Sequence, residues 1–334
     1  MNTGHSHSHF KHISYDVDDA GIAAVVLTRP SVRNAISRGM TYELDEAFGQ
    51  ACKDERVRII TLMGSGPHFC SGHDLGSEAH LKEMRQEPVY ESGVPGDFEK
   101  WSELDVEMCL KWRNMRKPLI CGLRGYVIYH GCALASCADI VIAADDLRMM
   151  PGLVEFNHLP WDMALRVRHA KEILMTQRFV LASEAKELGL VNMVVSGEPG
   201  CLEAEVQRMA RCIARSDPFY LRMAKRMCNS AAAAAGAESH MRQSLDTWTS
   251  YRWGWHQRVT LHEGEGGRDE LTLDHGGRRK TLAPVPQALR SDTMYWSRKG
   301  AGEDPDVAVA DDDIAGAGAG ADTGTIKQRS LSKL

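Results

Sequence analysis

No stretch of the 334 residues approaches the about 18 consecutive apolar residues that a membrane-spanning helix needs, so membrane insertion is not expected. A field of positive charge is also missing. The 40 Lys and Arg against 45 Asp and Glu leave a net charge of −5, and the basic residues are dispersed, which argues against nucleic acid as a partner. The 9 cysteines follow no framework spacing, and an odd number cannot all pair, so free thiols in a reducing compartment are expected. The N-terminus is polar and His-rich where a secretory signal would be apolar, so no cleaved leader is expected. What is present, 43% apolar and 25% charged residues, fits a soluble globular protein with a sizeable core, in one large domain or two small ones.

Both ends differ from the middle. The segment "GHSHSHFKH", Gly4 to His12, reads either as a mobile polar tail or as a metal grip built from imidazoles. Residues 1–12 are accordingly expected to be disordered. Beyond residue 300 the composition collapses to "AGEDPDVAVADDDIAGAGAGADTGTIKQRSLSKL", where Gly, Ala and Asp dominate and almost nothing large remains to bury, so 301–334 are expected to be disordered too. That tail ends in Ser332-Lys333-Leu334, the tripeptide read by the peroxisomal import receptor, with Lys327 and Arg329 just upstream. Peroxisomal localisation, with the receptor as a partner, is the expectation.

Between the ends, short β-type runs alternate with helical patterns. "GIAAVVLTRP" is a strand stopped by Pro30, and "SRGMTYELDEAFGQACKD" follows with Met40, Leu44, Ala47 and Phe48 at helical spacing after the cap Ser37. "VRIITLMGSG", "KPLICGLRG" and "ADIVIAAD" read as buried strands. "AKEILMTQRFV", "SEAKELGL" and "VNMVV" read as helix, helix and strand, with Gly189 placed as a helix C-cap. This alternation argues an α/β core over 13–216. From Asp217 the chain reads as mostly helical, so 217–300 is expected to be a helical module, with Trp248, Tyr251, Trp253 and Trp255 as core or interface aromatics.

The segments "VVLTRPSVRNAIS", "VRIITLMGSGPHFCSGHDL", "KPLICGLRGYVIYHGCALASCADIVIAADDLRM" and "FVLASEAKELGLVNMVV" resemble, in order and spacing, those of the crotonase (enoyl-CoA hydratase/isomerase) superfamily. The resemblance covers Ile22 to Val195 well. It implies a spiral of repeated ββα units, a helical C-terminal module used in homotrimer or homohexamer formation, and acyl-CoA thioester substrates. Coenzyme A would enter as part of the substrate, with no separate cofactor. In this superfamily two backbone N–H groups stabilise the thioester oxyanion, one of them at a helix N-terminus. By resemblance these are the N–H groups of His73 and His130. Arg33 in "SVRNA" matches a basic position near the CoA phosphates.

Here too absence is informative. The motif that ordinarily reads Gly-Gly-Gly reads Tyr129-His130-Gly131. Ala133 and Leu153 stand where the superfamily's hydratases carry two glutamates, and neither can exchange a proton. Glu155 is displaced by two residues and would enter the site only through a loop shift. Farther on, Asp162 in "HLPWDMALR" matches a carboxylate that acts in isomerases and carbon–carbon bond hydrolases of the superfamily. Walled by Leu159, Pro160 and Trp161 it would be desolvated toward a useful acid/base range, and it equally suits the N-cap of the following helix. His130 is either a helix-start residue with its ring outward or an active-site ring. Inward, Tyr129 and His130 would occupy the space left by Ala133 and work with Asp162. Tyr90, Phe98, Trp101 and Trp112, in the long segment between His73 and Lys117, would wall the acyl pocket or belong to the core. No metal is expected, because no His/Cys/carboxylate cluster in the core shows ligand spacing along the chain.

The expected function is thus an acyl-CoA enzyme working through a stabilised enolate, as a lyase, C–C hydrolase or isomerase. An ordinary hydratase using Glu155 and a non-catalytic acyl-CoA binder are the alternatives. A fluorescent fusion that keeps the native C-terminus should be punctate and peroxisomal, and deleting Ser332 to Leu334 should disperse it. Diffuse fluorescence from the intact fusion would end the localisation reading.

Overall fold

The computed structural model describes residues 10–74, 76, 77, 80, 82, 90, 91, 94–150, 167–264, 268–275 and 278–284. Leu153, Glu155, Asp162 and the tail 301–334 lie outside the described residues. Order begins before Ile13, against the expected boundary: the N–H groups of Lys11 and His12 both donate to the Glu43 carboxylate, at 2.9 and 2.8 Å.

Six strands make the main sheet: β1 (Ile13–Val17), β2 (Ile22–Leu27), β3 (Ile59–Gly64), β4 (Leu119–Leu123), β6 (Ile140–Ala144) and β9 (Met193–Val195), in that order across it. Only β1 and β2 are antiparallel; the other neighbours run parallel. Such a sheet is covered on both faces, and its strands are apolar throughout rather than alternating. Ile22, Ile59, Ile120 and Ile142 point to one face, where Leu202, Val206 and Ala210 of a helix over Cys201–Ile213 cover them. Ala23, Val25, Leu27, Ile60, Leu62, Leu119, Cys121 and Ala143 point to the other, larger core.

Helix α1 (Arg38–Lys53) packs on that larger core. The Ser37 side chain accepts the Met40 N–H as an N-cap, and the expected stripe of Met40, Leu44, Ala47 and Phe48 is buried, extended by Ala51. Burying each large member of the stripe is worth about 1.5–3 kcal/mol. After β3 come α2 (Val94–Trp101), a π-helical segment (Ser102–Glu107) and α3 (Met108–Arg113). A short strand β5 (Tyr126–Ile128) leads into α4 (His130–Ser136) and pairs with β7 (Arg148–Met150), which pairs in turn with β8 (Val180–Leu181). Helix α5 spans Val167–Thr176 and α6 Ala182–Glu187. Gly189, at φ 78°, closes α6: its N–H donates to Lys186 and that of Leu190 to Ala185, a Schellman ending.

The helix over Cys201–Ile213 is α7. Asp217 caps α8 (Pro218–Ala234), accepting the Tyr220 N–H at 2.8 Å, and α9 (Ala237–Arg258) follows. The C-terminal part is therefore helical as expected through Arg258. It then continues into a three-stranded antiparallel sheet of β10 (Val259–Gly264), β11 (Arg268–His275) and β12 (Arg278–Pro284), which helical patterning did not anticipate.

The loop after β3 is pinned from both sides. Cys70 bridges to Val127 of β5, and His73 bridges to Ile36 ahead of α1. Asp74, next to His73, is buried and receives Arg29 Nη2 at 2.7 Å and the Ser77 N–H at 2.8 Å, while the same guanidinium donates to the Ala35 carbonyl. Burial alone would raise the Asp74 carboxyl, but the Ser77 hydrogen bonds and the Arg29 guanidinium outweigh it and hold it below its ordinary 3.8. Its charge therefore stabilises the fold above that value, and the contribution disappears as pH falls through the depressed one. Asp74→Asn should cost about 1–3 kcal/mol at neutral pH, as expected for hydrogen bonds to a charged group. Urea unfolding should show that deficit shrinking in acid; a deficit independent of pH would contradict the assignment.

Candidate active site

Helix α4 starts at the altered glycine motif, and its backbone explains which glycine was kept. A Cβ on Gly131 would lie 2.6 Å from the Cys70 carbonyl oxygen and 3.1 Å from Cys70 Cβ, so rigid backbone allows no side chain there. Tyr129 adopts φ 44°, ψ −103°, a region that costs a non-glycine residue roughly 1–3 kcal/mol. Its surroundings hold it there. The Tyr129 N–H donates to Met150 of β7, its carbonyl accepts from Cys132 and Ala133, and its ring is buried.

The His130 ring points inward: the residue is 1% exposed, which rules out the outward reading. Its ring centroid lies 4.3 Å from that of His73, the planes tilted by 31°. Asp105, also 1% exposed, bridges the edges of the two rings. One oxygen of its carboxylate, Oδ1, is 2.9 Å from His73 Nε2 and 3.3 Å from His130 Nδ1. The Tyr129 ring lies 5.3 Å from the His73 ring, and Trp101 meets His73 edge-on at 4.7 Å. Trp248 of α9 packs against Trp101 at 6.4 Å, so the C-terminal helix backs the site within the same chain. Burial first, then the negative charge of Asp105 and the Cys109 thiol, push the Tyr129 phenol well above its ordinary value. It stays protonated and can serve as a donor, not as a base.

Sequence reasoning missed Asp105. It lies in "SELDVEMCLKW", which reads as an acidic helical stretch; the available signal was its place between Leu104 and Val106, both buried. The π-helical winding turns it inward, while its neighbours face elsewhere. Glu103 accepts from the Tyr42 and Tyr90 hydroxyls at 3.0 and 2.8 Å, and Glu107 pairs with Arg242 of α9 at 3.0 Å. Spacing along the chain does not reveal the cluster these residues form: atoms of His73, Asp105 and His130 lie within 4.8 Å of one another. Two imidazoles and a carboxylate are a set that a divalent cation accepts. Equally, 2.9 Å is an ordinary hydrogen bond, and the trio can hold and move a proton without a metal.

The two expected oxyanion positions come together. Ile36 bonds the peptides on either side of His73, accepting from the Asp74 N–H and donating to the Gly72 carbonyl, both at 2.8 Å. In a parallel bridge the His73 N–H then points the other way, toward β5 and α4. There a Cβ on Gly72 would stand 3.8 Å from the His130 nitrogen. Ala133, at the first glutamate position, is buried in the next turn of α4. Of the aromatic candidates, Trp101 touches the site. Trp112 is core, edge-on to Phe48 at 5.5 Å, Phe98 packs partly buried on the same core, and Tyr90 bonds Glu103. Arg33 sits on a tight turn at φ 52°, its guanidinium 5.9 Å above the Tyr126 ring.

Residues 18–252 match the model of the enoyl-CoA hydratase/isomerase family. The Mycobacterium tuberculosis protein EchA13 is 34% identical over 247 residues, 68% of this chain and 76% of that protein. A probable peroxisomal enoyl-CoA hydratase of Arabidopsis thaliana is 29% identical over 206 residues, 60% of this chain and 70% of that one. A crystal structure of a probable enoyl-CoA hydratase from Mycobacterium thermoresistibile superposes with TM-score 0.65 and 32% identity, covering 74% of this chain and 98% of the other. This chain belongs to the enoyl-CoA hydratase/isomerase family.

Proposed function

We propose that the protein acts on an acyl-CoA thioester through an oxyanion-stabilised enolate, as an isomerase, lyase or C–C hydrolase, and not by two-glutamate hydration. The observation that carries this reading is Ala133 buried at the glutamate position while the His130 ring turns into the adjoining space beside His73. The peptide N–H groups of His73 and His130 would receive the thioester oxygen as it gains charge. Tyr129, kept protonated by burial, would donate a further hydrogen bond. Asp162, by resemblance, supplies a carboxylate for proton transfer, and Arg33 meets the phosphates of coenzyme A, which arrives as part of the substrate. The relatives named as hydratases favour one competing reading, hydration with Glu155. Peroxisomal residence is supported by the terminal Ser332-Lys333-Leu334 and by the Arabidopsis relative's name. A trimer or hexamer is supported by Phe219, Tyr220 and Met227, which α8 leaves 67%, 64% and 70% exposed.

Three measurements test this. Crotonyl-CoA hydration followed by absorbance should be slow against turnover of enoyl, dienoyl and β-keto thioesters. Asp162→Asn should lower turnover on the best of them by roughly 10²-fold or more, the scale for losing a general acid/base, while Glu155→Gln changes little. The reverse pattern would hand the site to the hydratase reading. Light scattering at micromolar protein should give a trimer or hexamer mass, and a monomer would contradict the assembly.

A further inference from the structure

We infer that the His73 ring, beyond its peptide N–H, is a proton-transfer group of this site in addition to the Asp162 carboxylate, and that Asp105 is the positioning residue that sets its tautomer. The inference rests on the enolate reading for its chemistry, though not for its first test. Of the two stacked imidazoles, the His130 side chain is sealed at 1% exposure and the His73 side chain is open at 11%. The open ring is therefore the one a substrate can reach, and the sealed one stands behind it. Asp105, with no exposed side-chain surface, takes the His73 Nε2–H at 2.9 Å. A carboxylate only accepts, so this bond places the proton on Nε2 and leaves the lone pair on Nδ1.

The same oxygen lies 3.3 Å from His130 Nδ1, so one negative charge serves two imidazoles and can balance one imidazolium, whichever ring carries it. Among the described residues, Tyr129 at the start of α4 and Cys109 on α3 face the trio, and Cys137 at the end of α4 lies beside Cys109. Burial keeps Tyr129 neutral, and a side-chain hydrogen bond with Cys137, followed by burial, keeps Cys109 neutral, so neither adds a second anion beside Asp105.

The scaffold around Asp105 points to the same role. A π-helical turn is rare and costs regular hydrogen bonding, and such turns recur where a side chain must be aimed. This one is held by contacts on its outer faces, Tyr42 and Tyr90 on Glu103 and Arg242 on Glu107. The proton balance is simple. In a β,γ-unsaturated thioester the α C–H bond breaks, its proton forms an N–H bond on His73 Nδ1, and the electron pair delocalises onto the thioester oxygen. The imidazolium, balanced by Asp105, then returns the proton to the γ-carbon, giving the conjugated α,β-enoyl thioester and neutral His73.

The test has two arms on the full-length chain. Nitrogen-15 imidazole spectra without substrate should show His73 as the Nε2–H tautomer, and Asp105→Asn should convert it to a mixture, because an amide can donate as well as accept. An unchanged tautomer in Asp105→Asn overturns the positioning role whatever the enzyme's substrate. Vinylacetyl-CoA, which isomerises to crotonyl-CoA, is the probe for the second arm. His73→Ala keeps the peptide N–H, so it should lower kcat at least about 10²-fold with KM within about twofold, and Asp105→Asn should lower kcat by a smaller factor in the same direction. His73→Ala with near wild-type kcat overturns the proton-transfer role. If wild type leaves vinylacetyl-CoA unchanged, the enolate reading of this site falls and the proton-transfer role with it, while the tautomer result stands by itself. One equivalent of divalent cation in the wild-type protein, lost in His73→Ala, overturns it in favour of a ligand set.

Discussion

A single carboxylate oxygen of Asp105 lies within 2.9 Å of one imidazole and 3.3 Å of another, in a place with almost no solvent. A charge so buried is expensive unless it is paired and hydrogen-bonded. Much of the surrounding architecture can be read as meeting that demand. The loop after β3 brings His73, the start of α4 brings His130, and the segment between α2 and α3 brings Asp105. These three pieces of chain are far apart in sequence, and none carries the site alone. The Trp101–Trp248 contact then ties the C-terminal helix to the same point, so the family's helical region backs the chemistry as well as covering the core.

Precision at that point is inherited from less conspicuous contacts. Arg29 and Asp74 fix the peptide on one side of His73, and the Cys70–Val127 bridge fixes the other side of the loop. Gly131 lets α4 approach Cys70 so closely that no Cβ fits. With these restraints the two backbone N–H positions can keep their place although the usual glycines are gone. Backbone donors are indifferent to side-chain identity, provided the chain can hold the required angles. Tyr129 shows that it can, at a local cost in strain that its pairing to Met150 and the burial of its ring offset.

How much of this was legible in the sequence follows from which interactions are local. Periodicity and caps are local, so α1 with its Ser37 cap, the apolar strands, the Gly189 ending and the helix begun at Asp217 could all be read in advance. The motif order carried the family. Asp105 was invisible because its role depends on a winding that periodicity does not encode. A run of Leu-Asp-Val in an acidic stretch predicts a solvated face for an α-helix. The π turn reverses that expectation for one residue. The trio went unread for a related reason, since ligand spacing along the chain says nothing about groups that meet from separate segments. The strands after Arg258 were missed because the aromatic-rich pattern before them continued to look helical.

The places where local rules are broken also coincide. A tyrosine takes a backbone conformation suited to glycine, a helix is underwound for one turn, two imidazoles lie against each other, and a carboxylate is buried beside them. Each is individually unfavourable, and in a protein whose levels otherwise agree, such violations gather where function requires them. If Tyr129 and His130 were only substitutions drifting in a dead site, nothing would select for a buried anion to accompany them. Asp105 accompanies both, within hydrogen-bonding reach of the histidine that precedes the Arg29-bound Asp74. The joint arrangement gives two imidazoles one shared anion, which is what the proposed proton transfer at His73 requires.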